Sequence, residues 1–321
     1  MREPHSALIG CSGFVGSTIS MQTSFDKKFN SRTIREAHGK HFAEVVCAAA
    51  PGSMFEANRL PEEDGQRIDA LIDDLSKLVA ERFVLISTIA VFDSFDAGYD
   101  ESASNFQRSL AYGRNRHRLE EFCATHFSDT LIVRLPALFG HGLKKNFIFD
   151  IMNPMPSMLT ADRLQELRSD LPAKLGIALA DIYTSDENLG LMVIDRSALD
   201  RSGLRSAFDE AVSGHPLNAV NFTNPETRFQ YYDMLRLWSD ICTARQDGLK
   251  IIHLSPEPVP ARDVYKALVG QEMPSTNARV HKEDLRTRHG DLWGRAGPYL
   301  AGVDEVLKRL GAFYRAEKQA V

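Results

Sequence analysis

Paired cysteines are missing from this chain. Its 321 residues hold four, Cys11, Cys47, Cys123 and Cys242, with no paired spacing among them. Two fall in apolar strand-like runs, so all four read as buried free thiols, which points to a reducing compartment and a cytoplasmic protein. An excess of positive charge is missing too. The 38 lysines and arginines stand against 43 aspartates and glutamates, a formal net charge of -5. That balance excludes a basic face broad enough for nucleic acid or an anionic membrane as the main partner, and leaves room for a local basic pocket. No apolar run approaches the ~20 residues that cross a bilayer. The start, "MREPHSALIG", lacks a long apolar stretch with a small-residue cleavage site, so no leader is expected. Repeats and low-complexity segments are absent. So are a Gly-x-Ser-x-Gly elbow and a lysine following a phosphate loop, which removes hydrolase and P-loop readings. His38 and His41 in "HGKH" have no carboxylate or cysteine partner at ligand spacing, and no metal is expected.

What is present is an alternation. Apolar-rich runs without alternation at 7–10, 42–50, 82–88 and in "DTLIVRLPA" read as strands buried on both faces. Between them, "PEEDGQRIDALIDDLSKLVAE" carries Ile68, Leu71, Ile72, Leu75, Leu78 and Val79 at helical spacing, and "YGRNRHRLEEFCATHF" reads as another helix. Such alternation predicts a doubly wound α/β fold, a parallel sheet with helices on both sides. After about residue 150 the pattern turns mostly helical ("ADRLQELRSDL", "RSGLRSAFDEAV"). It resumes with an expected strand at 217–223, a helix "QYYDMLRLWSDICTA", a strand at 250–255 and a last helix near "GVDEVLKRLGAFY". The expected division is a dinucleotide-binding domain over 1–149, with returns near 217–255, and a smaller substrate-binding part from 150–216 and 256–321.

Gly10, Gly13 and Gly16 lie three apart in "ALIGCSGFVGSTI", after a strand and before a helix. There, with Phe14 and Val15 opening the helix, backbone amides and the positive helix end face an incoming pyrophosphate. A tight strand-to-helix corner is the alternative. The spacing resembles the Gly-x-x-Gly-x-x-Gly turn of the extended short-chain dehydrogenase/reductase superfamily, most of whose members act on nucleotide sugars. Four further segments resemble that family in order. Ala48, Ala49 and Ala50 stand where it has an Asn-Ala-Ala-type loop against the cofactor. Thr88 precedes Val91 as in its Ser/Thr-x-x-Val-Tyr/Phe pattern. Tyr112 follows Thr88 by 24 residues, as in its Tyr-x-x-x-Lys pair, although the residue four further on is Arg116. "VRLPALFG" resembles its Arg-x-x-x-x-Tyr/Phe-Gly segment, which implies that Leu135 and Pro136 touch the nicotinamide.

The resemblance implies a Rossmann-type fold, hydride exchange with NADP or NAD, and Thr88 and Tyr112 as the acid-base pair. Phenols titrate near 10, so a cation must favour the phenolate at neutral pH. Arg116 supplies one, and it would also stand at the nicotinamide ribose; the alternative is a solvent-facing helix start with an Arg116–Glu120 ion pair. The family's 4,6-dehydratases carry Asp-Glu after the threonine, where this chain has Ile89 and Ala90, so epimerisation or simple reduction is favoured over elimination. Twenty residues beyond Gly10 stands Asn30, followed by Ser31 and Arg32. No carboxylate waits there for a ribose, Arg32 suits a 2'-phosphate, and NADP is favoured; a shifted register would bring in Asp26. Lys144, Lys145 and Asn146, with Arg279 and Arg288 more weakly, are candidates for a substrate diphosphate, and two adjacent lysines read equally as a solvated face. A homodimer is what the resemblance implies. The competing function is an NAD(P)-binding regulatory or assembly subunit without redox turnover.

Overall fold

The computed structural model describes residues 5–319. Its main sheet holds six parallel strands in the order β2-β1-β3-β4-β5-β12: β1 (Ser6–Ile9), β2 (Lys27–Phe29), β3 (His41–Cys47), β4 (Val79–Thr88), β5 (Thr130–Leu135) and β12 (Ile251–His253). The inner strands are apolar on both faces because both are covered. Ala7, Ile9, Val45, Cys47, Phe83 and Leu85 share one core with Ile68, Leu71 and Leu75 of helix α3 (Pro61–Leu75) and Leu119 and Cys123 of α4 (Ala111–His126). Leu8, Val46, Val84 and Val133 alternate with them in sequence and are equally buried, on the opposite side of the pleat. Helices α1 (Phe14–Gln22) and α10 (Leu237–Gln246) pack on each other. The α3 helix opens with Pro61 and Glu62, Glu63 and Asp64, a first turn suited to the positive helix end. β2 forms one margin of the sheet, with Lys27 and Lys28 exposed.

β1 leads outward to β2, and the chain then crosses back to β3 on the other side of β1. This reversal makes the carboxyl ends of β1 and β3 the switch point where doubly wound sheets open a crevice. Helix α2 (Met54–Arg59) follows β3. Beyond β5, β6 (Ala137–Phe139) pairs in parallel with β11 (Tyr231–Asp233).

The chain divides into two compact units. The sheet unit runs to Leu143 and adds Phe229–Val259 and the chain from Lys282 onward, including α12 (Val303–Gln319). The second comprises Lys144–Arg228 and Pro260–His281. It contains an antiparallel sheet β7-β9-β8 (Met158–Leu159, Leu191–Ile194, Tyr183–Asp186) and helices α5 (Phe147–Met152), α6 (Ala161–Asp170), α7 (Ala173–Ile182), α8 (Arg196–Arg201), α9 (Arg205–Val212) and α11 (Ala261–Val269). Leu167, Leu179, Leu199, Phe208 and Val212 form its core. Short strands β10 (Arg228–Phe229) and β13 (Val259–Pro260) stand where the chain passes from one unit to the other.

Four expectations are corrected. Residues from 282 onward pack with the sheet unit, because Leu285 is buried with Ile89, Val91 and Phe92, and the amides of Asp284 and Arg286 bond the carbonyls of Phe95 and Tyr99. Residues 217–223 are not a returning strand but hold a 3-10 turn, Ala219–Phe222, in the second unit; the Asn218 side chain accepts from the Val220 amide and diverts the backbone from a ladder. The helix expected from Gln230 begins at Leu237, since Tyr231–Asp233 pairs with β6 and Asp233 caps the turn that follows. Cys11 and Cys242 are half-buried rather than buried.

Candidate nucleotide-binding and acid-base site

Gly10 ends β1 with φ of 88°, a backbone that side chains resist. Its amide and that of Cys11 bond the Phe29 carbonyl, which ties the turn to β2, and a Cβ on Gly10 would stand 2.5 Å from the Ala48 carbonyl oxygen behind β3. One on Gly16 would stand 2.1 Å from the Gly10 oxygen. These two glycines are therefore required by the corner itself. Gly13 is different: it is exposed, and a Cβ there would meet only the Gly10 oxygen at 3.5 Å, an ordinary contact. Gly13 is the N-cap of α1 with no side-chain cap and no acidic residue in the first turn, so the opening amides of the helix, at Phe14 and Val15, lack a protein acceptor of the usual kind. The cradle fits a pyrophosphate.

Asn30, Ser31 and Arg32 follow β2 at the same sheet end, with Asn30 Oδ1 accepting from the Arg32 amide at 2.9 Å and Arg32 exposed. Asp26 is excluded. Its carboxylate accepts from the Ser6 amide and hydroxyl at 2.9 and 3.0 Å, at the amino end of β1, opposite the glycine turn. Ala48, Ala49 and Ala50 are half-buried behind β3.

Thr88 closes β4 in register with Leu135, which places Leu135 and Pro136 beside it on the next strand. The Thr88 hydroxyl accepts from the Ala90 amide at 3.1 Å and starts a turn in which Ile89 and Ala90 are buried. Helix α4 comes close to that turn: a Cβ on Gly113 would lie 2.1 Å from the Ala90 oxygen. The approach brings Tyr112 to Thr88, whose hydroxyl acts on the phenol. Asn58 of α2 fixes the helix start by accepting from the Tyr112 amide at 2.9 Å. Burial raises the Tyr112 phenol above its ordinary value; the Arg116 charge and the Thr88 hydroxyl oppose that rise, and the Asp64 charge adds to it.

Arg116 is 2% exposed, which rules out the solvent-facing helix start. It does not pair with Glu120. Its Nη1 donates to Asp64 and, at 3.4 Å, to the Tyr112 carbonyl, its Nη2 donates to the Pro51 carbonyl, and its guanidinium carbon stands 4.1 Å from the Tyr112 ring centroid. Asn115 also donates to Asp64, at 2.8 Å. The cation thus covers the face of the phenol, while its Nη donors point to other acceptors and its buried Nε has none.

Glu120 instead binds Arg134, with Nη2 to Oε2 at 2.6 Å, and accepts from the Ser87 hydroxyl at 2.5 Å. Arg134 Nη1 lies 3.2 Å from His253 Nε2, and His253 Nδ1 lies 2.8 Å from the Arg286 carbonyl, so Nδ1 is the donor and Nε2 the acceptor. Burial, against the pull of Glu101, lowers the His253 pKa to about 4. Glu101 accepts from the amides of His253 and Arg288, both at 2.8 Å, and from the Thr287 hydroxyl at 2.7 Å. This network lies under the strand ends that carry Thr88 and Leu135. Sequence reasoning missed it and Asp64: "PEED" reads as an ordinary acidic helix start, and His253 as part of an apolar strand.

Lys144, Lys145, Asn146 and Arg279 belong to the second unit, where both lysines and Arg279 are exposed. Asn146 has φ of 99° and caps α5, its Oδ1 accepting from the amides of Ile148 and Phe149. Arg288 lies in the sheet unit, exposed.

No family model matches the chain, and no curated protein matches it. Solved structures match it over nearly all of its length. The dTDP-4-dehydrorhamnose reductase from Bacillus anthracis, in complex with NADP, is 13% identical with a TM-score of 0.59, over 98% of this chain and 99% of that one. A UDP-galactose 4-epimerase is 12% identical with a TM-score of 0.60, over 99% of each chain. The UDP-N-acetylglucosamine 4-epimerase from Methanobrevibacter ruminantium M1 is 11% identical with a TM-score of 0.60, over 100% of each. The chain therefore has the Rossmann-type fold of these solved structures.

Proposed function

We propose that this protein is an NAD(P)-dependent oxidoreductase acting on a nucleotide-linked sugar, as an epimerase or a ketoreductase, by hydride exchange at a ring carbon. The observation that carries the reading is the approach of Tyr112 to Thr88 at the carboxyl end of β4, on the same sheet edge as the exposed Gly13 turn. From Asn30 through Gly10, Ala48 and Thr88 to Pro136 the edge crosses four strand spacings of about 4.8 Å, roughly 19 Å, a length that suits an extended dinucleotide. Solved structures of this fold include a reductase with NADP and sugar-nucleotide epimerases, which supports the reading.

When bound, the nicotinamide gives or takes a hydride at its C4. Glycine-turn amides and the α1 terminus hold the pyrophosphate, Ala48–Ala50 line its flank, and Leu135 and Pro136 bound the reactive end. Thr88 hydrogen-bonds the sugar oxygen, and Tyr112 moves a proton to or from it. Ile89 and Ala90 supply neither acid nor base for loss of water. Arg32, exposed behind β2, favours the 2'-phosphate of NADP. Lys144, Lys145, Asn146 and Arg279 are assigned to the substrate diphosphate, and two copies of the chain to a homodimer.

Calorimetry with NADPH and NADH, followed by assays of a panel of nucleotide-linked sugars, tests this. NADPH should bind more tightly than NADH, and Tyr112→Phe should lower turnover at least ~100-fold while dinucleotide affinity changes little. Failure of both dinucleotides to bind rejects the function. Tight binding with no sugar converted supports the second reading, a dinucleotide-binding subunit without turnover, which the commitment of Arg116 to Asp64 favours.

A further inference from the structure

We propose that Asp64 is a positioning residue that neutralises the Arg116 cation lying over the Tyr112 ring, so that Tyr112 stays a phenol at neutral pH and the site gives a proton to a sugar ketone and works as a reductase. The inference rests on the function proposed above and narrows it: an epimerase must also withdraw a proton from the sugar hydroxyl, which needs a phenolate. A phenolate at neutral pH requires an uncompensated cation beside the oxygen. Here the cation lies over the ring face, where the ring quadrupole holds it without any charge on the oxygen. Its charge is balanced by Asp64, 3% exposed, and its other contacts go to the carbonyls of Pro51 and Tyr112. Arginine does not lose its proton, so it cannot pass one on. Among the described residues, the charged groups acting on the Tyr112 phenol are Arg116 of its own helix and Asp64 of α3, and β4 supplies the Thr88 hydroxyl; Asn58 of α2 reaches only the Tyr112 backbone amide. Burial of the phenol acts in the same sense as Asp64, against the pull of Arg116.

In the step, the ketone carbon gains a hydride from a reduced nicotinamide dinucleotide, which is thereby oxidised. The carbonyl π pair takes the Tyr112 proton as the phenol O–H bond breaks. The product is the alcohol, and the phenolate regains a proton from solvent. Electrons and protons balance.

The test is an ultraviolet difference titration of the whole protein against Tyr112→Phe, with and without NADPH. Tyr112 should show no ionisation below the ordinary tyrosine value of about 10, and ketone reduction should be faster than alcohol oxidation at neutral pH. Asp64→Asn leaves Arg116 uncompensated and should move the ionisation down by roughly a unit. Arg116→Lys, a compact ammonium, should also lower it, and serves if the Asp64→Asn chain does not fold. A Tyr112 ionisation below pH 8 in protein that binds NADPH overturns this inference alone. So does an unmoved ionisation in the folded variants. Loss of dinucleotide binding altogether would instead overturn the function.

Discussion

At the scale of single residues, the three glycines of the turn do different work. An added methyl at Gly16 would collide with the Gly10 oxygen at 2.1 Å, and one at Gly13 would make ordinary contact at 3.5 Å. Gly16→Ala should therefore cost about 1–3 kcal/mol of stability, as overpacking does. Gly13→Ala should cost less than about 1 kcal/mol, yet weaken NADPH binding tenfold or more. Denaturant unfolding and calorimetry on the two variants separate the effects. Spacing identified the turn but could not rank its glycines, because the atoms that decide belong to Gly10 and Ala48 folded against it. The same limit applies at Arg116. Its place four residues after Tyr112 was legible; its partner, 52 residues earlier on α3, was not.

Among the elements, long buried strands and amphipathic helices of the sheet unit were legible because their burial pattern is written in consecutive residues. Tyr231–Asp233 was not, since its strand state depends on β6, far away in sequence. Helix α5 shows a local feature with a measurable consequence. Asn146, at φ 99° and ψ 175°, lies in a region that only glycine enters freely, at a strain of order 1–3 kcal/mol. Its Oδ1 repays part of this by capping the amides of Ile148 and Phe149 at 3.0 and 3.2 Å. Glycine relieves the strain and forfeits only a few tenths of a kcal/mol as a cap. Asn146→Gly should thus stabilise the second unit by about 1 kcal/mol, and Asn146→Ala, which keeps the strain and loses the cap, should destabilise it by about 1–2 kcal/mol. Thermal melts of both variants check the contrast.

For the whole molecule, the two units carry ionisable groups shifted in opposite senses. The His253 pKa falls from 6.5 to about 4, chiefly through burial. The unfolded chain takes up that proton near 6.5 and the folded chain only near 4, so the sheet unit loses stability as pH drops through this window, by roughly 3 kcal/mol in total. Burial raises Asp150 from 3.8 to about 7 against the pull of Arg196. Here the folded form keeps a proton that the unfolded form has released, so the second unit is most stable below 3.8 and loses stability as pH rises through 7. Hydrogen exchange corrected for intrinsic rates should show opposite pH trends in the two units. His253→Gln should flatten the first and Asp150→Asn the second. At the far margin of the sheet, β2 is three residues long and carries two exposed lysines. So brief and so charged a border gives a neighbouring molecule almost no backbone to zip onto, and in crowded solution this chain is guarded against growing into a fibre through that side.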